Sequence, residues 1–199
     1  MPGLLVGYGH SWVAGEGATR PELRLLHVAA LRLGLTPVNL GVGGSSSAQT
    51  AALVRSECAA PAEAYLVVVG LNDVRLRGED PAALGGYALA LDVVVGACTA
   101  RSPGSVVLLV RQPPLEDYSR HAPHDRGSPA AVEAYNRQLE LVAAGHPEAV
   151  VVRVTSWDAR SMLAGDTVHP NDLGHAAIGL AVADTHYVAS IGRTSPVHD

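Results

Sequence analysis

The sequence is short of aromatic residues and of positive charge. It contains no phenylalanine, and Phe, Trp and Tyr together make up 4% of its 199 residues. Leucine, valine and alanine must therefore fill the core. Lysine and arginine number 14 against 19 acidic residues, which gives a formal net charge of −5. Because a nucleic-acid-binding protein normally carries a basic patch or stripe, this composition excludes nucleic acid as a partner.

Long hydrophobic runs are also missing. The most apolar runs, residues 64–70 and 105–110, are far shorter than the roughly 20 residues that span a bilayer, so we expect no membrane span. The first ten residues lack the basic start and the cleavage site of a signal peptide. Cys58 and Cys98 have no CxxC spacing and are expected to be buried free thiols. These absences favour the cytoplasm and leave open secretion through a removed precursor segment.

Short apolar runs that alternate with helical segments organise the chain. We expect one domain over residues 1–192 and a flexible tail over 193–199. The predicted strands, apolar on both faces, are 4–8, 37–40, 64–69, 105–110 and 149–154. The predicted helices are 21–33, 47–60, 81–100, 130–144 and a last one from Asn171 to about residue 190.

This alternation predicts an α/β protein with a five-stranded parallel sheet. Strands joined through helices run parallel with right-handed crossovers. An open three-layer sheet fits better than a barrel, which typically needs about 250 residues and eight strands. Ligands of open sheets bind outside the carboxyl ends of the strands. The functional residues should therefore follow the strand segments directly.

Four short polar blocks occupy those positions. They are residues 7–12 (GYGHSW), 39–45 (NLGVGGS), 70–73 (GLND) and, beyond an irregular link after the fifth strand, 166–171 (DTVHPN). Taken singly, each has an ordinary explanation as a helix cap or a turn. The presence of all four in order, each behind a predicted strand, favours a common site.

The residues of these blocks are those that acyl transfer through a serine requires. Serine is a weak nucleophile that needs an adjacent base, and His169 can supply it. Asp166, three residues earlier, can fix the imidazole tautomer and stabilise the imidazolium. The backbone N–H groups of Ser11 and Gly44 and the amide of Asn72 could hold the oxyanion. We therefore predict Ser11, His169 and Asp166 as catalytic residues.

The order of the four blocks resembles the SGNH hydrolases, the GDSL-type esterases and lipases. Ser11, Gly44, Asn72 and His169 fall on the four residues that name this family, and the resemblance spans residues 7 to 171. It implies a flavodoxin-like three-layer α/β/α sandwich and a serine esterase that acts on a small acyl ester, without metal or organic cofactor. Thioesterase, deacetylase, acyltransferase and a non-catalytic ligand-binding module remain the alternatives.

One position departs from the family pattern. The first block usually reads Gly-Asp-Ser, whereas this chain has His10 before Ser11. We hypothesise that His10 packs behind the nucleophile as a neutral hydrogen-bond donor. Because this replacement lies outside the three predicted catalytic residues, we expect activity to be retained.

A long irregular segment, residues 112–127, follows the fourth strand and should overhang the same edge as Ser11. Loops of this length in compact domains usually carry function, so we predict that it shapes the substrate pocket. Its histidines, His121 and His124, lie near Asp125, but a polar loop explains this cluster better than a metal site does. Further candidates for the pocket wall are His10, Trp12, Tyr118 and Trp157.

Overall fold

The computed structural model describes residues 2–57 and 60–194. The strands are β1 (Leu4–Gly9), β2 (Thr36–Gly41), β3 (Ala64–Val68), β4 (Val106–Val110) and β5 (Ala149–Val152). The helices are α1 (Ser11–Ala14), α2 (Leu25–Leu33), α3 (Ser47–Glu57), α4 (Leu71–Arg77), α5 (Pro81–Arg101), α6 (Pro129–Ala144), α7 (Ala159–Met162) and α8 (Asp172–Thr194). A short 3-10 helix covers Pro21–Leu23.

The five strands form one parallel sheet in the order β2-β1-β3-β4-β5, which confirms the predicted α/β class and its flavodoxin-like arrangement. Helices α2 and α8 pack together, while α3, α5 and α6 form a second packed group. Strands β3 and β4 are buried along their whole length, as strands between two helical layers must be. The strand order reverses between β1 and β3, so the crevice at their carboxyl ends is the expected ligand site.

Several boundaries differ from the prediction. The segment predicted as one helix over 21–33 is interrupted at Arg24, whose extended backbone ends the 3-10 helix and begins α2. Helices α1, α4 and α7 were not predicted, because elements of four to seven residues are too short for a hydrophobic period to emerge. The last helix continues to Thr194, and the rest of the predicted tail lies outside the described residues.

Helix α5 is apolar over most of its length. Among the described residues it is the one helix long and apolar enough to cross a membrane by length and hydropathy alone, a test that core helices also pass. It packs against α3, α6 and β4, and Cys98 within it is a buried free thiol, as predicted. The prediction for Cys58 falls outside the described residues. Glycines, Asp92 and Thr99 interrupt its apolar residues, so the helix contains no long uninterrupted apolar run.

Candidate active site

Ser11 and His169 meet although 158 residues separate them. Ser11 is the first residue of α1, directly behind β1, and its side chain is buried. Its Oγ lies 3.0 Å from Nε2 of His169, within hydrogen-bonding distance. His169 lies in the segment that connects α7 to α8, and its side chain is 21% exposed. A hydroxyl and a base are therefore paired at the crevice of the sheet.

Asp166 completes the chain of hydrogen bonds. Its Oδ2 lies 2.6 Å from Nδ1 of His169, and its Oδ1 accepts the backbone N–H groups of Val168 and His169, both at 2.9 Å. Partial burial raises the pKa of Asp166, but these hydrogen bonds outweigh it and hold the pKa below its usual value. An ionised carboxylate thus accepts from Nδ1–H, which leaves Nε2 free to accept from the Ser11 hydroxyl.

The predicted oxyanion donors follow strand ends that lie at one level. Gly9 of β1 is in register with Gly41 of β2 and with Val68 of β3, and Ser11, Gly44 and Asn72 come two to four residues later. The N–H of Ser11 is the first of a helix and has no acceptor within that helix.

Gly44 and Asn72 each leave a donor available. Gly44 has φ of +74°, which favours glycine, and a Cβ built there would meet nothing within 4 Å, so the space beside its Cα is open. Asn72 gives one amide hydrogen to the Ser45 carbonyl at 2.9 Å, and its second N–H remains for a ligand. A cavity of about 260 Å³ adjoins Gly44; Val42, Gly43, Ser45, Gln49, Thr50 and Leu53 complete its lining.

Two further side chains tie the blocks to one another. Asp73 accepts the Ser47 backbone N–H at 2.9 Å and its hydroxyl at 2.8 Å, which fixes the start of α3 against α4. Asn39 donates to the Val13 carbonyl at 2.7 Å, which fixes β2 against α1. The sequence motifs alone assign no function to either residue. In the structure they hold Ser11 and the candidate oxyanion donors in fixed relative positions.

His10 replaces an aspartate of the family pattern and is completely buried. Its Nδ1 accepts the Trp12 backbone N–H at 3.3 Å, so it caps α1 as an aspartate would. With Nδ1 accepting, Nε2 carries the hydrogen and donates to Oε1 of Gln112 at 3.2 Å. Burial lowers the pKa of His10 to about 4, so the ring is neutral at pH 7. This arrangement agrees with the hypothesis of a neutral donor behind Ser11.

We expect His10 to make folding pH-dependent. The unfolded chain binds a proton at this residue below pH 6.5, whereas the folded chain does so only near pH 4. Stability from the neutral ring is therefore complete above pH 6.5 and is lost as pH falls towards 4, by about 3 kcal/mol. Urea unfolding of the wild type and of His10→Asn at pH 7, 6, 5 and 4 measures this. The variant should lose less stability on acidification, and parallel pH curves would contradict the assignment.

The candidate pocket residues occupy three different environments. His10 and Trp12 are fully buried, so they support the site from below and present no surface to it. Tyr118 is 7% exposed, and its hydroxyl accepts the Leu115 backbone N–H at 2.9 Å. Trp157 is half-buried and stacks on Trp12 with ring centroids 5.6 Å apart. Of these four side chains only Trp157 is not buried, and the assignment of all four to the pocket wall stays a prediction.

The irregular segment 112–127 lies against the Asp166 block. Nε2 of His121 is 2.9 Å from the Asp166 carbonyl oxygen, and the Pro114 carbonyl accepts the indole N–H of Trp157 at 2.8 Å. The segment therefore overhangs the predicted edge, and its effect on substrate choice stays a prediction. Within residues 2–57 and 60–194, His121, His124 and Asp125 are not part of any cluster that could hold a metal ion.

Two charged residues of the site were missed by sequence reasoning. Glu16 places Oε2 3.1 Å from Nε2 of His169. Arg75 is 7% exposed and lies one helical turn after Asn72, and it has no ion pair within the described part of the chain. Burial lowers the pKa of Arg75, while the charges of Asp166 and Tyr118 oppose that shift. For Glu16 a signal existed, namely its place between two glycines five residues after Ser11.

The protein combines a doubly wound α/β sheet with a serine, a histidine and an aspartate that are joined by hydrogen bonds. This combination is typical of proteins that transfer acyl groups through a serine. The chain belongs to the GDSL-like Lipase/Acylhydrolase family, which it matches over residues 7–177. This confirms the resemblance drawn from the four blocks. The protein is accordingly a hydrolase that acts on esters, and its expected substrates are small-molecule esters.

Solved structures share the fold at low identity. The psychrotrophic esterase EstA from Pseudoalteromonas sp. is 16% identical with a TM-score of 0.67, over 93% of this chain and 97% of that one. A member of the lipolytic protein G-D-S-L family from Veillonella parvula is 17% identical with a TM-score of 0.71, over 92% and 98%. TesA is 22% identical with a TM-score of 0.68, over 94% and 99%. Among proteins of curated function, no sequence matches this chain.

Proposed function

We propose that the protein hydrolyses carboxylic esters through an acyl-serine intermediate on Ser11. The observation that carries this proposal is the hydrogen-bonded series Ser11 Oγ, His169 and Asp166, with distances of 3.0 and 2.6 Å. Acyl transfer needs a hydroxyl, a base that is free to accept at one nitrogen, and a carboxylate at the other. Together with the candidate oxyanion donors, this series gives each of the four sequence blocks a part in ester hydrolysis.

In the first half of the reaction Ser11 Oγ attacks the ester carbonyl carbon while its proton moves to Nε2 of His169. The carbonyl electrons pass to the oxygen, and this oxyanion is held by the N–H groups of Ser11 and Gly44 and the amide of Asn72. Loss of one such donor typically costs about 2.7–4 kcal/mol of transition-state stabilisation. The carbon–oxygen bond to the alcohol then breaks, and Nε2 returns its proton to the departing oxygen.

In the second half water replaces the alcohol. His169 takes a proton from the water as its oxygen attacks the acyl carbon, and the same donors hold the second oxyanion. Collapse breaks the bond to Ser11 Oγ, which regains its proton from Nε2, and the carboxylic acid leaves. Asp166 stays ionised throughout and stabilises the imidazolium that forms in each half.

A fluorophosphonate probe tests the nucleophile directly. We expect Ser11 Oγ to displace fluoride and form a stable phosphonyl-serine, which peptide mass spectrometry locates. Hydrolysis of p-nitrophenyl esters of increasing chain length, beside the matching thioesters, then defines the acyl preference and separates esterase from thioesterase. Ser56→Ala, which removes an exposed hydroxyl on α3, is the control and should label normally. A folded protein that neither labels nor hydrolyses any ester would favour a ligand-binding module.

A further inference from the structure

The segment 15–17 holds Glu16 rigidly beside the proposed nucleophile. The backbone N–H groups of Gly15 and Glu16 both donate to the Ser11 carbonyl, at 2.9 and 3.0 Å. The Glu16 carbonyl faces Nε2 of the fully buried His175 at 3.0 Å. Since Nδ1 of His175 accepts the Leu25 N–H at 3.2 Å, Nε2 carries the hydrogen and donates it to Glu16. Burial lowers the pKa of His175, which keeps this donor neutral.

The other end of the segment is wedged against the proposed base. Gly17 has φ of +91°, and a Cβ there would collide with the Pro170 carbonyl oxygen and crowd Cβ of His169. Only glycine fits this position without displacing the segment that contains His169 and Pro170. The backbone on both sides of Glu16 is therefore held against elements of the site, which places its Cα close to Ser11 and His169.

The carboxylate of Glu16 crosses the mouth of the site. Oε2 is 3.1 Å from Nε2 of His169, and Oε1 occupies the place that a Cβ on Gly43 would take. It thus reaches from the base to the loop that carries Gly44. Its side chain is 49% exposed, and within residues 2–57 and 60–194 no arginine or lysine lies within ion-pair distance of it. While His169 is neutral, a negative charge without a cationic side chain beside it therefore faces the entrance.

In the proposed reaction the departing oxygen must lie next to Nε2 of His169, because that nitrogen gives it a proton. The alcohol part of the ester then extends past the Glu16 carboxylate. A carboxylate only accepts hydrogen bonds and attracts positive charge. We propose that Glu16 is a specificity-determining residue that selects esters whose alcohol carries a cationic group a few ångströms from the ester oxygen. This inference rests on the proposed esterase function.

Acetylcholine and 3,3-dimethylbutyl acetate provide a matched test, since they differ in charge and share nearly the same shape. For a partly exposed pair we expect the wild type to favour the cationic ester by about five- to tenfold in kcat/KM. Glu16→Gln keeps the size and removes the charge, so the ratio of the two kcat/KM values should fall about five- to tenfold, to the value set by the intrinsic reactivity of the two esters. Glu63→Gln, an exposed charge at the opposite end of the sheet, is the control and should keep the wild-type ratio.

Each outcome of this comparison decides the question. If Glu16 acted only by stabilising the imidazolium of His169, its loss would lower both rates by the same factor and leave the ratio unchanged. A wild-type ratio near one, or an unchanged ratio in Glu16→Gln, overturns the inference while esterase activity on the neutral ester still supports the proposed function. Absence of hydrolysis of both esters together with an unlabelled Ser11 would instead remove the proposed function, and the inference with it.

Discussion

Ser11→Ala is expected to lower kcat by at least about 10⁴-fold, because the variant cannot form the acyl intermediate. The remaining rate would come from the oxyanion donors and from substrate binding alone. The free energy of unfolding should change by less than about 1 kcal/mol, since one hydroxyl at a helix start is removed and alanine is a good helix former. Steady-state hydrolysis of a p-nitrophenyl ester and urea unfolding measure the two quantities.

The comparison of both quantities is what makes this experiment informative. A folded Ser11→Ala protein that keeps a tenth or more of the wild-type kcat would show that another group performs the attack. Ser56→Ala serves as the matched control on an exposed hydroxyl, and we expect it to match the wild type in rate and stability.

The second large effect is expected from Asp166→Asn, at about 10⁴-fold in kcat. The asparagine carbonyl oxygen can still accept the backbone N–H groups of Val168 and His169, which Oδ1 accepts at 2.9 Å in the wild type. The backbone of this block should therefore be preserved. The amide nitrogen would face Nδ1 of His169, where it donates a hydrogen and forces the proton to Nε2. In that tautomer His169 cannot accept from Ser11.

Asp158→Asn is the control for this substitution. Asp158 is an exposed carboxylate that accepts a hydrogen bond from the Ser161 hydroxyl and does not contact His169. We expect its kcat to stay close to the wild-type value. A loss in Asp166→Asn no greater than in the control would mean that the carboxylate has no part in the chemistry. Fluorophosphonate labelling of Asp166→Asn should slow in parallel with hydrolysis, because both reactions need the same deprotonated hydroxyl.

The sheet was predictable because its strands are apolar on both faces and short. Once five such strands are joined through helices, parallel order brings their carboxyl ends to one edge. The register of β1 with its two neighbours then places Ser11, Gly44 and Asn72 behind strand ends at one level. Ser11, Gly44 and Asn72 could therefore be predicted from position behind a strand, whereas the block of Asp166 and His169 follows β5 only after α7.

The remaining features depend on contacts that sequence patterns do not carry. The break at Arg24 within the predicted helix 21–33 coincides with a hydrogen bond from the Leu25 N–H to His175, a residue 150 positions away. The position of the Glu16 backbone likewise depends on His175 and on the close approach of Gly17 to Pro170. Interactions over such separations are set by tertiary packing, which local periodicity does not report.

The stacked pair of Trp12 and Trp157 is an intrinsic fluorescent probe of this protein. The sequence contains two tryptophans, and both belong to this pair. One indole N–H donates to the Val168 carbonyl in the block of the proposed base, and the other donates to Pro114 in the overhanging segment. Intrinsic fluorescence excited at the indole band therefore comes from a single location between Ser11, the block of His169 and the segment 112–127. The tryptophan emission spectrum of the whole protein therefore reports on the surroundings of this site alone.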